Sequence, residues 1–187
     1  MARPFRRWTS FVGPFVLAMA DVGLNAVNRS LESPLFFDSV GTAIAAAVWG
    51  LVPGLVTAVV GQLGMEAVLT LEHAGGTALP FVFCGLATAA LVTAFVRSGH
   101  FHRATEVGLA VVVVTLVNAI LGSLVATFAF GGITLHESDY VVAGLLMGGN
   151  QLLQSSFWAR IPLNLIDKTI AVVVAHGIYR AVESRRT

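Results

Sequence analysis

Polar side chains recur at helical spacing inside long apolar stretches of this 187-residue chain. Asp21 and Asn25 lie four apart, Gln62 and Glu66 do the same, and Arg160, Asn164 and Lys168 follow one another at four-residue steps with Asp167 alongside. On a helix that spacing puts each set on one face. Ionisable groups in hydrocarbon are expensive, so they face a bundle interior, a partner charge or a ligand. The chemistry these residues suit is recognition rather than bond breaking. Neither G-x-S-x-G, H-E-x-x-H nor a P-loop occurs, and Ser123, Ser155 and Ser156 have no base at matching depth. No catalytic residue and no cofactor is expected, and active transport would have to borrow its energy from a partner or a gradient. Cys84 is the single cysteine, which excludes an intramolecular disulfide or a cysteine metal cluster. The His100-x-His102 pair reads as part of a solvated loop, so no metal site is expected either.

The elements that position these residues are helices in lipid. Hydrophobic residues make up 56% of the chain and charged residues 11%, with a mean hydropathy of +0.83. A soluble domain needs far more charge to cover its surface. The length allows one domain, residues 1–187, of about six helices at roughly 20 residues per span. The strict alternation of a β-barrel is missing, and a net charge of +1 offers no field for nucleic acid. Helices are expected over about 8–27, 36–49, 52–71, 78–96, 105–130 and 157–182, with Pro162 in the first turns of the last. The polar run Asn28 to Ser33 and Pro34 should break the first. The basic start resembles a signal peptide, but its apolar stretch is long and carries Asp21, so it reads as a retained first helix. The fold class is therefore all-α and integral to the membrane. It is a six-transmembrane-helix bundle with residues 140–154 as an extra, partly inserted segment before the last helix.

Basic clusters set the orientation. Arg3, Arg6 and Arg7 precede the first helix, Arg97 and Arg103 link the fourth and fifth, and Arg180, Arg185 and Arg186 follow the last. The positive-inside rule then places both termini in the cytoplasm. Asp21, Asn25, Asn28 and Arg29 fall in the outer half of the first helix and its exit. Glu66 lies at similar depth on the third. Gln151 supplies an amide near the outer surface, and Arg160, Asn164 and Lys168 descend from there toward the middle. Together they frame an outward-open pocket for a small polar solute. Bland readings stand beside this one. Lys168 could pair with Asp167, and Asp21 could lock the first helix to the last through Lys168 or Arg160. Glu66 could reach interfacial water, His176 could simply pack, and Asn118 reads as an interhelical hydrogen bond. Trp8 and Trp158 read as interfacial anchors. Stripes of small residues such as Gly54-x-x-x-Ala58 with Gly61 and Gly64 permit close helix approach.

The stretch Asn28-Arg29-Ser30-Leu31-Glu32-Ser33-Pro34-Leu35-Phe36-Phe37-Asp38-Ser39-Val40-Gly41-Thr42, followed by Gly50-Leu51-Val52-Pro53-Gly54, resembles the substrate-binding (S) components of energy-coupling factor (ECF) transporters. The closing stretch Ile161-Pro162-Leu163-Asn164-Leu165-Ile166-Asp167-Lys168-Thr169-Ile170-Ala171-Val172 is similar to the last helix of that superfamily. The resemblance implies six helices in a prokaryotic cytoplasmic membrane and a vitamin- or metal-sized pocket capped by the loop after the first helix. It also implies partners, namely a transmembrane coupling subunit and an ATPase pair, with toppling of the subunit to carry solute inward. In one respect the chain departs from the family. Where many members place two alanines four apart on the first helix to meet the coupling subunit, Ala18 and Ala26 here flank Val22. A ligand-sensing or scaffolding membrane protein acting through a partner is the reading from a different class.

Overall fold

Apolar composition with few helix breakers yields helices throughout. They are α1 (Pro4–Ser30), α2 (Val40–Trp49), α3 (Leu51–Leu71), α4 (Val82–Arg97), α5 (Ala104–Phe130), α6 (Ser138–Met147) and α7 (Leu152–Glu183). In this computed structural model the backbone is described for residues 4–72 and 77–185, and side chains from residue 12 onward within those limits. Arg3, Arg186 and the side chains of Arg6, Arg7 and Trp8 lie outside the described residues. Among those described there is no strand. The helices α3, α5, α7, and α4 with its leading 3-10 turn (Leu79–Phe81), are long and apolar enough to cross a membrane. They show many bare apolar side chains to the outside, such as Phe83, Leu109 and Phe128, as a multi-pass membrane protein requires.

Contacts at the helix ends show that the chain runs back and forth through one bundle. At one end Gly13 of α1 faces the Trp49 ring at the close of α2. There Phe101, between α4 and α5, is fully buried, edge-on to His176 (5.3 Å) and to Tyr179 (6.0 Å) of α7. Arg180 Nη1 donates to the His102 carbonyl at 3.1 Å, which ties that same link to α7. Arg97, Arg103 and Arg180 thus share what we call the basic end. At the opposite, acidic end, Arg29 at the close of α1 meets Glu72 at the close of α3, with 3.3 Å between Nη2 and Oε2. His176 packs against a ring, as one of its two readings had it.

The centre of the bundle is α2, whose residues Val40 to Ala47 are all buried. Lipid gives helices no hydrophobic reason to associate, so close packing must do it. Small side chains serve that end. Gly41 lets α2 approach the Leu17 carbonyl of α1, and Gly54 of α3 sits against Ala46 and Ala89. Gly61 and Gly64 of α3 receive Ala18 and Val22 of α1. The α1 face that carries the departed alanine pattern is therefore occupied by α3. Gly50, at φ 97°, makes the tight reversal from α2 into α3 that a side chain would resist.

Several boundaries differ from the expectation. The first helix runs on through Asn28, Arg29 and Ser30: Asn28 bonds to the following loop, Arg29 to Glu72, and Ser30 to the Val27 carbonyl of its own helix. The second helix starts at Val40, not near residue 36, and its ten residues cover about 15 Å, half a hydrocarbon core. As an unaided span it fails; residues 34–39 run as non-helical chain and supply the rest of the passage. The last helix begins at Leu152, so Pro162 lies in its interior and leaves the Trp158 carbonyl without its usual N–H donor. The 140–154 segment resolves into α6, ten residues packed on α7, and a Gly148–Gly149 turn.

A helix that starts inside the bundle exposes unpaired N–H groups where no water can reach. Asp21 of α1 supplies the cap. Its Oδ1 accepts from Gly41 N–H at 2.6 Å, and its Oδ2 accepts from Thr42 N–H at 3.0 Å and Thr42 Oγ1 at 3.1 Å. The carboxylate also meets the positive pole of α2. Asp21→Ala should lower unfolding stability by roughly 2–4 kcal/mol, because it removes a cap and leaves buried donors unmet. Asp21→Asn, with one amide oxygen left to accept, should fall between the variant and wild type. Denaturation of detergent-solubilised protein reads the difference, and an Asp21→Ala protein as stable as wild type would rule the cap out.

Candidate functional site

The acidic end opens into a cavity of about 140 Å³, many times the 10–15 Å³ that one water needs. Its walls come from α1, the 34–39 segment, α3, α4, α5, the α5–α6 loop and α7. One face of α7 forms a polar ladder along it: Arg160, Asn164 and Lys168, each about 6 Å further from the acidic end. All three are buried.

At the deep end of the ladder one ammonium faces two carboxylates. Lys168 Nζ lies 2.6 Å from Asp167 Oδ2, and it donates to Asp38 Oδ1 at 2.9 Å and Ser39 Oγ at 2.7 Å. Asp167 Oδ1 in turn accepts from the Phe37 N–H at 2.7 Å. The neighbouring acid and lysine on α7 therefore hold three consecutive residues of the non-helical segment. From the other side, Asn25 Nδ2 donates to the Phe36 carbonyl at 2.7 Å, and Asn28 Nδ2 donates to the carbonyls of Leu35 (2.5 Å) and Ser33 (3.3 Å). The segment is sewn to both α1 and α7. Lys168 pairs with Asp167, as one reading had it. Asp21 is ion-paired to neither Lys168 nor Arg160, which corrects that expectation: its oxygens are taken by the N-terminus of α2.

Arg160, at the shallow end, is different. Its Nη1 donates to Ser156 Oγ at 2.6 Å and to the Ser156 carbonyl at 3.3 Å, one turn back on its own helix. Among the described residues no carboxylate lies within 4 Å of its guanidinium. Gly122 of α5 makes room for it, since a Cβ there would come within 3.2 Å of Arg160 Cδ and Nε.

The remaining lining mixes apolar and polar groups. Phe36 and His136 stack at 5.0 Å between centroids, joining the 34–39 segment to the α5–α6 loop. The Ser138 N–H donates to His136 Nδ1 at 3.2 Å, which puts the ring proton on Nε2. Burial holds this histidine below its ordinary range, so it is neutral near pH 7. Asn118 donates to Thr88 Oγ1 (3.0 Å) and the Val114 carbonyl (2.9 Å), while its Oδ1 is buried with no partner. Met65, Leu69 and Phe81 add apolar wall.

Of the residues proposed from sequence, Asn25, Arg29, Arg160, Asn164 and Lys168 line the cavity, and Asp21, Asn28, Glu66 and Gln151 do not. Glu66 acts behind the wall, where its Oε2 accepts from Thr77 Oγ1 at 2.9 Å and the Ala78 N–H at 2.7 Å. Gln151 is exposed and precedes α7. Asp38, Phe36, Asn118 and His136 line the cavity without having been assigned to it. Asp38 fell inside the helix expected over about 36–49 and was given no role of its own. No protein-family model, curated protein or solved structure matches this chain.

The ion triad makes Lys168 structural as well as cavity-lining. Lys168→Met should cost the apo protein about 3–5 kcal/mol, since it strands two facing carboxylates. Adding Asp167→Asn to that variant should recover part of the loss. Melting of the single and double variants measures both, and a Lys168→Met protein with wild-type apo stability would remove the triad from the fold's supports.

Proposed function

We propose that this chain is the substrate-capture subunit of an ECF-type importer in a prokaryotic cytoplasmic membrane. It binds a small, polar, vitamin-like solute at the acidic end and works with a transmembrane coupling subunit and an ATPase pair. The observation that carries the reading is the cavity at the acidic end, one wall of which is the α1–α2 segment, the piece in which the family resemblance is densest. The α7 stretch that carries the second resemblance supplies its polar ladder. The solute enters from the acidic end, where Arg29 of the cavity wall pairs with Glu72 at the close of α3. The basic end, with Arg97, Arg103 and Arg180, faces the cytoplasm, and six passages of the chain place both termini there. In the second of these passages α2 and the 34–39 segment cross as a broken helix, the form tolerated where irregular backbone is buried in protein. With Ala18 and Val22 packed on α3, the coupling subunit is met by another face.

Two measurements test this. Single cysteines in a Cys84→Ala background should react with a membrane-impermeant reagent at position 31 and not at position 100, both of which are exposed in the fold. The opposite pattern would invert the orientation and put the cavity on the cytoplasmic side. The full chain purified in mild detergent should release, on denaturation, one small solute in near-stoichiometric amount and bring ATPase subunits with it. A kinase or regulator in their place would favour the sensing alternative.

A further inference from the structure

Within the capture reading, on which this inference rests, the cations around the cavity differ in what touches them. Lys168 stands between Asp167 and Asp38, and Arg29 meets Glu72. The acids nearest Arg160 stay out of contact with it: Asp139 attracts it through space while accepting from the Thr134 N–H (2.7 Å) and Thr134 Oγ1 (2.8 Å), and Glu137 lies 3.7 Å from His136 Nε2. Arg160 alone among these cations touches no carboxylate of the described residues. It is buried, it lines the cavity, and its Nε and Nη2 donors meet no acceptor among the described residues. A guanidinium presents its donors as a planar fork suited to a carboxylate.

We infer that the solute carries a carboxylate that docks on Arg160. An apolar body lies against Phe36, Phe81 and Met65. The planar fork takes both oxygens of a carboxylate, and the acids already near the cavity, Asp38, Asp167 and Asp139, disfavour a doubly charged phosphate. An acid on a largely apolar frame fits this lining.

The test pairs Arg160→Gln with wild type in the full-length detergent-solubilised protein. In the absence of solute, Arg160→Gln should melt at or above the wild-type temperature, because it removes a buried charge that no carboxylate of the described residues contacts. A fall as large as that of Lys168→Met would make Arg160 a structural residue and overturn the inference. Solute released from wild type should contain an acidic group, and Arg160→Gln should lose it. Aromatic and alicyclic carboxylates, compared with their primary amides by thermal shift, provide a second reading. The acids should bind wild type, the amides should be about ten- to a hundredfold weaker, and Arg160→Gln should treat the two alike. A released solute without an acid, or amides binding as well as acids, would overturn the carboxylate while leaving solute capture standing. Neither a released solute nor a shift with any acid or amide would sink both.

Discussion

Everything at the acidic end depends on a helix that begins in the wrong place for water. Four N–H groups at the start of α2 point into protein, and the chain before them, residues 34–39, runs without helical hydrogen bonds. Such backbone survives at this depth only when other groups satisfy it. Asp21 supplies the acceptors for α2, and Asp167, Lys168, Asn25 and Asn28 supply partners for the residues that lead into it. Two helices that are distant in sequence, α1 and α7, thus meet through the segment between α1 and α2. Polar residues in the apolar runs of both helices are first of all the supports of a broken helix.

The cavity lies against that break, and Phe36 and Asp38 of the 34–39 segment line it. The backbone beside it carries strain. Phe37 at φ 46° and Leu135 at φ 57° adopt a left-handed backbone that bulky side chains resist, at a cost of about 1–3 kcal/mol each. Each adjoins one member of the Phe36–His136 ring stack. Phe37 is held there by the Asp167 carboxylate, a charge-assisted bond strong enough to offset the strain. The two loops that bound the cavity are therefore joined by a contact whose flanks are the least relaxed backbone nearby, which is where a mobile rim would store its energy.

Helical periodicity made much of this legible. The i, i+4 pairing of Asp21 with Asn25, and the Arg160–Asn164–Lys168 row, identify the polar faces because the 3.6-residue repeat links them directly. What the repeat cannot show is which oxygen a buried donor finds across the bundle. Asp38 and Lys168 are 130 residues apart. Asp21 read as a charge in search of a cation because a cap normally comes from the residue preceding a helix; here it comes from another helix. The start of α2 was misplaced for a related reason, since Phe36 and Phe37 are as apolar as the helix they precede. Pro162 looked like a first-turn residue because the helix was expected to start near residue 157; it starts at Leu152 and takes in Ser156, which becomes a hydrogen-bond partner of Arg160. Asn118 was read correctly as an interhelical bond.

Lys168 and Arg160 show how one helix face can hold two cations for opposite ends. They are eight residues apart, about 12 Å along α7, and equally buried. One is surrounded by acids that arrive from its own helix and from the 34–39 segment, so removing it strands negative charge. The other has only a serine from its own helix, so keeping it costs stability that its removal would return. A fold selected for stability alone would pair both or replace the second with an apolar residue. A buried cation with free donors and no carboxylate in contact keeps its hydrogen-bonding capacity for a group that the described residues do not supply.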